Sequence, residues 1–377
     1  MDNEYGMTKT GFFWDEHCFW HAPGGYALTA PLGGLIQPLA AGGSPEDPET
    51  KRRFKNLLDV TGLVTELHVS GADPASRDDL LRVHPASYLD AFKAKSDELG
   101  GELTLGARAS FSHGGYEIAA QSAGLAIAAL RSVLTGETHN AYALCRPPGH
   151  HCLPDRPNGF CLFNNIAIAI EAARHAGLAK RFAVVDWDVH HGNGTEAIYY
   201  SDPDVLTISI HQDRNYPWDT GGIEDQGNGA GQGANMNIPL PPGGGHETYL
   251  ASMEKLVVPA LHRFKPDVII VACGFDASGV DPLSRMVASA ETFSLMTQHL
   301  MTAADTLCDG RLMMTHEGGY SELHVPFCGH AVLQQMSGST IHAEDPLDPR
   351  MRAQQPDART RAYFASIIDS YVTHYFD

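Results

Sequence analysis

From about residue 140 onward the chain alternates short apolar runs with longer stretches of helical period. The runs Ala141–Cys145, Phe182–Asp186, Val205–Ile210, Val268–Cys273 and Arg311–Thr315 are β-rich and mostly apolar, a pattern that predicts strands buried on both faces. Between them Asn165–Ala176, His246–Phe264 and Ala290–Cys308 read as helices. Upstream, the best helical segments are Arg53–Val60, Ala86–Leu99 and Tyr116–Leu134. Strand and helix in alternation predict an α/β protein whose parallel sheet is covered on both faces. No internal repeat, low-complexity segment or Pro/Gly/Ser linker divides the chain, so residues 1–377 are expected to form a single domain. The apolar runs fall well short of the roughly 20 residues a membrane span needs. The start, Met1-Asp2-Asn3-Glu4, carries acid where a signal peptide carries base. A cytoplasmic protein with no membrane partner is the expectation.

Each of the predicted strands runs directly into a polar, glycine-punctuated segment. These are Arg146-Pro-Pro-Gly-His-His151, Asp186-Trp-Asp-Val-His-His-Gly-Asn193, His211-Gln-Asp213, Gly274-Phe-Asp276 and His316-Glu-Gly-Gly-Tyr320. In open α/β sheets ligands bind at the carboxyl ends of the strands. Motifs of this density at one sheet edge therefore predict an active site rather than unrelated loops.

Composition then narrows the chemistry. With 26 basic and 45 acidic residues the net charge is −19, which argues against nucleic acid as a partner and is compatible with cationic ligands. The basic run Lys51-Arg52-Arg53-Phe54-Lys55 reads as the start of a solvated helix face. Seven scattered cysteines without a Cys-x-x-Cys read as reduced thiols. Cys152 beside the histidine pair reads as a packed, inert thiol rather than a redox sensor. Histidine, at 20 residues, is the unusual count.

Asp188 and His190, two apart in what reads as an extended segment, point to one side, and Asp276 follows another strand. Two carboxylates and an imidazole without thiolate suit a divalent ion of zinc or manganese type with a position open to water. A helix cap would need one such residue rather than three. His150 and His151, after the rigid Pro-Pro-Gly turn, suit proton transfer beside such an ion. Tyr320, after Gly318-Gly319, can donate to a developing oxyanion. Glu317 reads as a loop anchor. Phe160, in Gly159-Phe160-Cys161, and the loop Asn215–Gly221 offer apolar walls.

Together these motifs resemble the zinc-dependent histone deacetylase family, most closely its class II members and the bacterial histone-deacetylase-like amidohydrolases. The resemblance runs from about residue 10 to about residue 340, with residues 341–377 left as a C-terminal helical extension. It implies an arginase-like fold around an eight-stranded parallel sheet and hydrolysis of short acyl amides, as in acyl-lysine. It also implies zinc on Asp188, His190 and Asp276, with His150, His151 and Tyr320 catalytic. Asp186 would pair with His150 and Asn193 with His151. A structural potassium ion would lie near Asp186, Asp188, His190, Ser209 and Ile210. Substrate would meet Gly159, Phe160, Tyr216, Gly318 and Gly319, and an arginine at the foot of the acyl pocket would be Arg52 or Arg53. The family's usual aromatic-Pro-Pro is replaced here by Tyr216-Pro217-Trp218, a change that bears on acyl preference. A homo-oligomer is implied by the resemblance, and the Gly/Pro-rich segment Ala22–Pro48 is a candidate entrance loop or interface.

Three rival readings share some of these features. A binuclear manganese ureohydrolase would carry a further aspartate where this chain has His-Gly-Asn. An acetylpolyamine hydrolase would differ only in its substrate. A non-catalytic binding module would be expected to lack one of the site residues, and none is missing.

Overall fold

The computed structural model describes residues 9–22, 26–27, 30–31 and 44–376. Its centre is a sheet of eight strands: β1 (Gly11–Phe13), β2 (His68–Ser70), β3 (Asn140–Ala143), β4 (Phe182–Asp186), β5 (Val205–Gln212), β6 (Asn235–Leu240), β7 (Val268–Cys273) and β8 (Leu312–His316). Their spatial order is β6-β5-β4-β7-β8-β3-β1-β2, and every neighbouring pair is parallel. Residues of β3 through β8 are buried without exception, as continuous apolar runs require.

Alternation along the strands builds two cores. Ala183 and Val185 of β4 face one layer with Ile269 and Val271, while Phe182 and Val184 face the other with Val268 and Ile270. The first layer packs under Pro48–Thr61, Ala290–Cys308 and Val325–Ser337; the second packs under Gly115–Leu134 and Asn165–His175. Gly115–Leu134 is long and apolar enough to cross a membrane, which the sequence reading did not anticipate, but 67% of its apolar window is buried inside the protein. Within it Gly124 permits a close crossing, since a Cβ there would lie 2.1 Å from the carbonyl oxygen of Asp73. Gly124→Ala is expected to destabilise the protein by about 1–3 kcal/mol, measurable by chemical denaturation.

The predicted strands are all present, with β3 beginning one residue earlier and ending two earlier, β8 shifted by one and β5 running on to Gln212. Three strands of this sheet escaped prediction. β1 and β2 are only three residues long, and β6 contains two asparagines and Pro239, a composition tolerated because β6 is an edge. The expected helix His246–Phe264 is interrupted by a wider turn at Met253–Val257. Pro259 lacks the N–H that would close the regular ladder there. The C-terminal extension forms Asp348–Ala353 and Ala358–Phe376. It is tied to the body by Gln355, which donates to Val287 O (2.8 Å) and accepts from His246 N (2.8 Å).

After β4 the chain goes outward to β5 and β6, then crosses back to place β7 on the other side of β4. The order therefore reverses between β4 and β7, and a crevice opens at their carboxyl ends.

Candidate active site

Asp188 and His190 follow β4, and Asp276 follows β7, so the reversal point gathers all three. Contrary to the expected extended segment, β4 ends at Asp186 and Asp188–His190 is a bend. The bend is held by side chains: Asp186 Oδ1 accepts Asp188 N (3.0 Å), and Asp188 Oδ1 accepts His190 N (2.9 Å). His190 Nδ1 lies 3.1 Å from Asp188 Oδ1 and 3.0 Å from Asp276 Oδ2. One donor atom from each residue falls within 4.8 Å of the others. The helix that follows begins at Asn193 with Gly192 as its N-cap, so neither Asp188 nor His190 caps it. Two buried carboxylates and one imidazole converging on a point form a donor set that fits a divalent ion of borderline hardness.

The histidine pair is anchored from β8. Glu317, buried, accepts the backbone N–H groups of Gly149 (2.7 Å) and His150 (3.1 Å) and the Thr315 hydroxyl (2.9 Å). His150 Nδ1 meets Asp186 Oδ2 at 2.9 Å. Burial opposes its charged form, yet the carboxylates of Asp188 and Asp186 prevail and push its imidazole up to about 10. His151 Nδ1 meets Asn193 Oδ1 at 2.8 Å. An amide oxygen only accepts, so Nδ1 carries the proton and Nε2 presents a lone pair. Burial, with His150 and His190 nearby, holds His151 well below the usual histidine range. The two imidazoles lie 3.9 Å apart between centroids, and their surroundings shift them in opposite directions.

Tyr320 sits 6.3 Å from His190 and 5.8 Å from Phe160, ring centre to ring centre. Burial and the carboxylates of Asp276 and Asp188 push its phenol well above the usual range, so it remains a donor. Its backbone N–H is held by Asp281 Oδ2 (2.8 Å), while Asp281 Oδ1 accepts Leu283 N (2.8 Å). One buried carboxylate thereby fixes both the phenol loop and a wall of the cavity above it.

That cavity, about 380 Å³, is lined by His151, His190 and Tyr320 at its base and by Gly159, Phe160, Tyr216, Leu283 and other loop residues above. Gly159 must be glycine: its φ is +50°, and a Cβ would lie 2.4 Å from the His151 ring. Gly318 and Gly319, expected among the substrate contacts, are not on the cavity wall. Gly318 lies behind the donor set, where a Cβ would meet Asp276 Oδ2 at 2.2 Å, and its N–H binds Asp188 Oδ2 (2.7 Å). Trp218 is 72% exposed and is no wall either, whereas Tyr216 is.

The foot-pocket arginines need correction. Arg52 and Arg53 are on the outer face of Pro48–Thr61, paired with Glu49, Glu16 and Glu322. Helical phase turns Lys51, Phe54 and Leu58 inward instead, so the basic run is not wholly solvated. Among the described residues the buried cations are Lys51 and Arg146, both bound to buried Glu46, with Lys51 Nζ 6.0 Å from the Tyr320 ring centre. Arg146 also donates to Cys18 O (3.1 Å) and His21 O (2.7 Å). All seven cysteines are buried and unpaired, and burial pushes the Cys152 thiol up, as an inert packed thiol requires. Most of the segment Ala22–Pro48 lies outside the described residues.

The sequence profile of the histone deacetylase domain matches residues 44–336. The chain belongs to the histone deacetylase family. It is 56% identical over 358 residues to the histone deacetylase-like amidohydrolase of Pseudomonas aeruginosa, covering 95% of this chain and 94% of that one. It is 33% identical over 378 residues to histone deacetylase 8 of Arabidopsis thaliana, covering 98% and 97% respectively. The crystal structure of the HDA15 HD domain superimposes with a TM-score of 0.81 at 29% identity, over 98% of this chain and 99% of that domain. This family member is accordingly a hydrolase acting on amides, and its eight-stranded α/β architecture is that of the deacetylase domain. Pro282, Leu283, Asn215, Arg108 and Arg285 also line the deacetylase cavity and carry no motif; of these, only Asn215 fell within a segment singled out in the sequence.

Proposed function

We propose that the protein is a zinc-dependent deacylase removing acetyl or similarly short acyl groups from Nε-acyl-lysine. The observation carrying this reading is the Asp188–His190–Asp276 donor set with His150 held by Asp186, His151 held by Asn193, and His151 and Tyr320 at the base of one cavity. A divalent ion there supplies Lewis-acid polarisation of the acyl carbonyl and acidifies an adjacent water. Everything else falls to the chain's own groups. The His151 Nε2 lone pair accepts the proton of the attacking water. The Tyr320 hydroxyl donates to the oxyanion as the carbonyl carbon becomes tetrahedral. Protonated His150, kept charged by Asp186, supplies the proton that the departing amine needs. Gly159, Phe160 and Tyr216 line the path of the aliphatic stem and exclude water from it.

A structural potassium ion on Asp186, Asp188, His190, Ser209 and Ile210 is part of the same reading. It is supported by the strand register, which pairs Asp186 with Ser209 across β4 and β5. The test is turnover of a fluorogenic acetyl-lysine peptide by zinc-loaded protein, with and without stripping by a chelator. Activity is expected to vanish on chelation, return with zinc and be suppressed by a hydroxamate. Full turnover by protein shown to be metal-free would refute the zinc reading. Turnover of acetylated polyamines alone would replace acyl-lysine as the substrate.

A further inference from the structure

The chain carries −19 overall, yet among the described residues no carboxylate lines the cavity, and two arginines do. Arg108 is set in place by its backbone. Its φ is +54°, its carbonyl accepts Phe160 N (2.8 Å), and the preceding Ala107 O accepts Gly159 N (2.9 Å). Its guanidinium stands 5.1 Å from the centre of the Tyr216 ring. Arg285 is similarly fixed: its N–H donates to Gln212 Oε1 (2.7 Å), its carbonyl accepts Gly243 N (2.8 Å), and its guanidinium meets Ser284 O. Among the described residues several surface arginines are paired with acids, as in Arg77–Asp90, Arg156–Asp155 and Arg361–Glu247, while others such as Arg131 and Arg214 are not. Arg108 and Arg285 make no ion pair among the described residues. The carboxylates at the base are buried and turned onto His190, Val189 N and Gly318 N. Among the described residues, the charged side chains on the cavity wall above its base are therefore Arg108 and Arg285.

We propose that Arg108 and Arg285 select acyl-lysine that carries a carboxylate close to the scissile side chain and turn away acylated polyamines. The proposal rests on the acyl-amide reading above and names its substrate class. An acyl-lysine stem inserted past Phe160 leaves the flanking main chain at the mouth, where neighbouring Asp or Glu side chains, or the α-carboxylate of free acyl-lysine, meet the guanidinium groups. A polyamine brings an ammonium to the same place, and like charges at a recognition site act as a barrier to the wrong partner.

The experiment compares kcat/KM for acetyl-lysine peptides flanked by Asp, by Ala or by Lys, for N-acetyl-lysine as free acid and amide, and for acetylspermidine. An Asp-to-Lys preference of about fivefold to tenfold is expected at low ionic strength, shrinking in high salt as the charges are screened. Arg108→Gln with Arg285→Gln should bring the ratio to within about twofold of unity, and the double Lys variant should keep it. The ratio is the readout, so a general loss of active protein cancels. Should the Gln pair fail to fold, the salt dependence of the wild-type ratio decides. A preference for Lys flanks, a ratio indifferent to salt, or a ratio unchanged in the Gln pair overturns the proposal. Preference for free acid over amide without an Asp effect identifies the α-carboxylate as the group read. If the Ala-flanked peptide is not hydrolysed at all, the acyl-lysine reading itself fails; if it is hydrolysed without charge discrimination, only the arginine assignment does.

Discussion

Tyr320→Phe should cut kcat by about a hundredfold to a thousandfold, the usual effect of removing one oxyanion donor. The substitution deletes one oxygen and leaves the Gly318–Tyr320 backbone as it is. Tyr320 N still donates to Asp281 Oδ2 and Gly318 N to Asp188 Oδ2. The ring retains its edge contacts with Phe160 and His190, so KM is expected to change little. The phenol is held protonated by burial and two carboxylates, and it can only stabilise negative charge by donating. Steady-state kinetics on an acetyl-lysine peptide separate the two parameters. A variant within fivefold of wild-type kcat, on the order of 1 kcal/mol, would remove Tyr320 from the chemistry.

Asp188→Ala should be more damaging still, lowering turnover by about a thousandfold or more, because residues that act as one unit fail together. Asp188 faces His190 Nδ1, accepts His190 N and accepts Gly318 N, so it serves at once as donor and as the tie between two loops. Its carboxylate is also among the charges that keep His150 protonated. Elemental analysis should find the variant depleted of zinc. Added zinc should raise the thermal midpoint of stripped wild type, as any ligand of the folded state does, and leave that of the variant unmoved. A variant holding one zinc per chain with the wild-type thermal response would show that the ion lies elsewhere.

The parts of this site legible in the sequence are those attached to strands. Phe182–Val185 and Val268–Cys273 are apolar throughout, so Asp186, Asp188, His190 and Asp276 stand out just past them. The short β1 and β2 gave no window long enough to show a period, and β6, with two asparagines and a proline, reads as loop until it is seen as an edge. The cavity wall was harder for a different reason. Leu283 and Arg285 lie on an irregular stretch whose position depends on hydrogen bonds to Gln212 and Asn215, which no local pattern encodes. Lys51 was within reach, because its spacing with Phe54 and Leu58 is that of an inward helical face. Arg52 and Arg53 drew attention by charge type alone, where phase decides burial.

The Asp281 carboxylate, joining Leu283 N to Tyr320 N, also bears on how the enzyme reads the width of the chain entering its cavity. A rigid planar group between wall and phenol transmits displacement from one to the other. An entering chain wide enough to press on Leu283 should shift Tyr320 from the oxyanion at the same time. Oversized substrates should then bind nearly as well as acetyl-lysine and turn over slowly, acting as competitive inhibitors of the smaller ones rather than as ligands the cavity refuses.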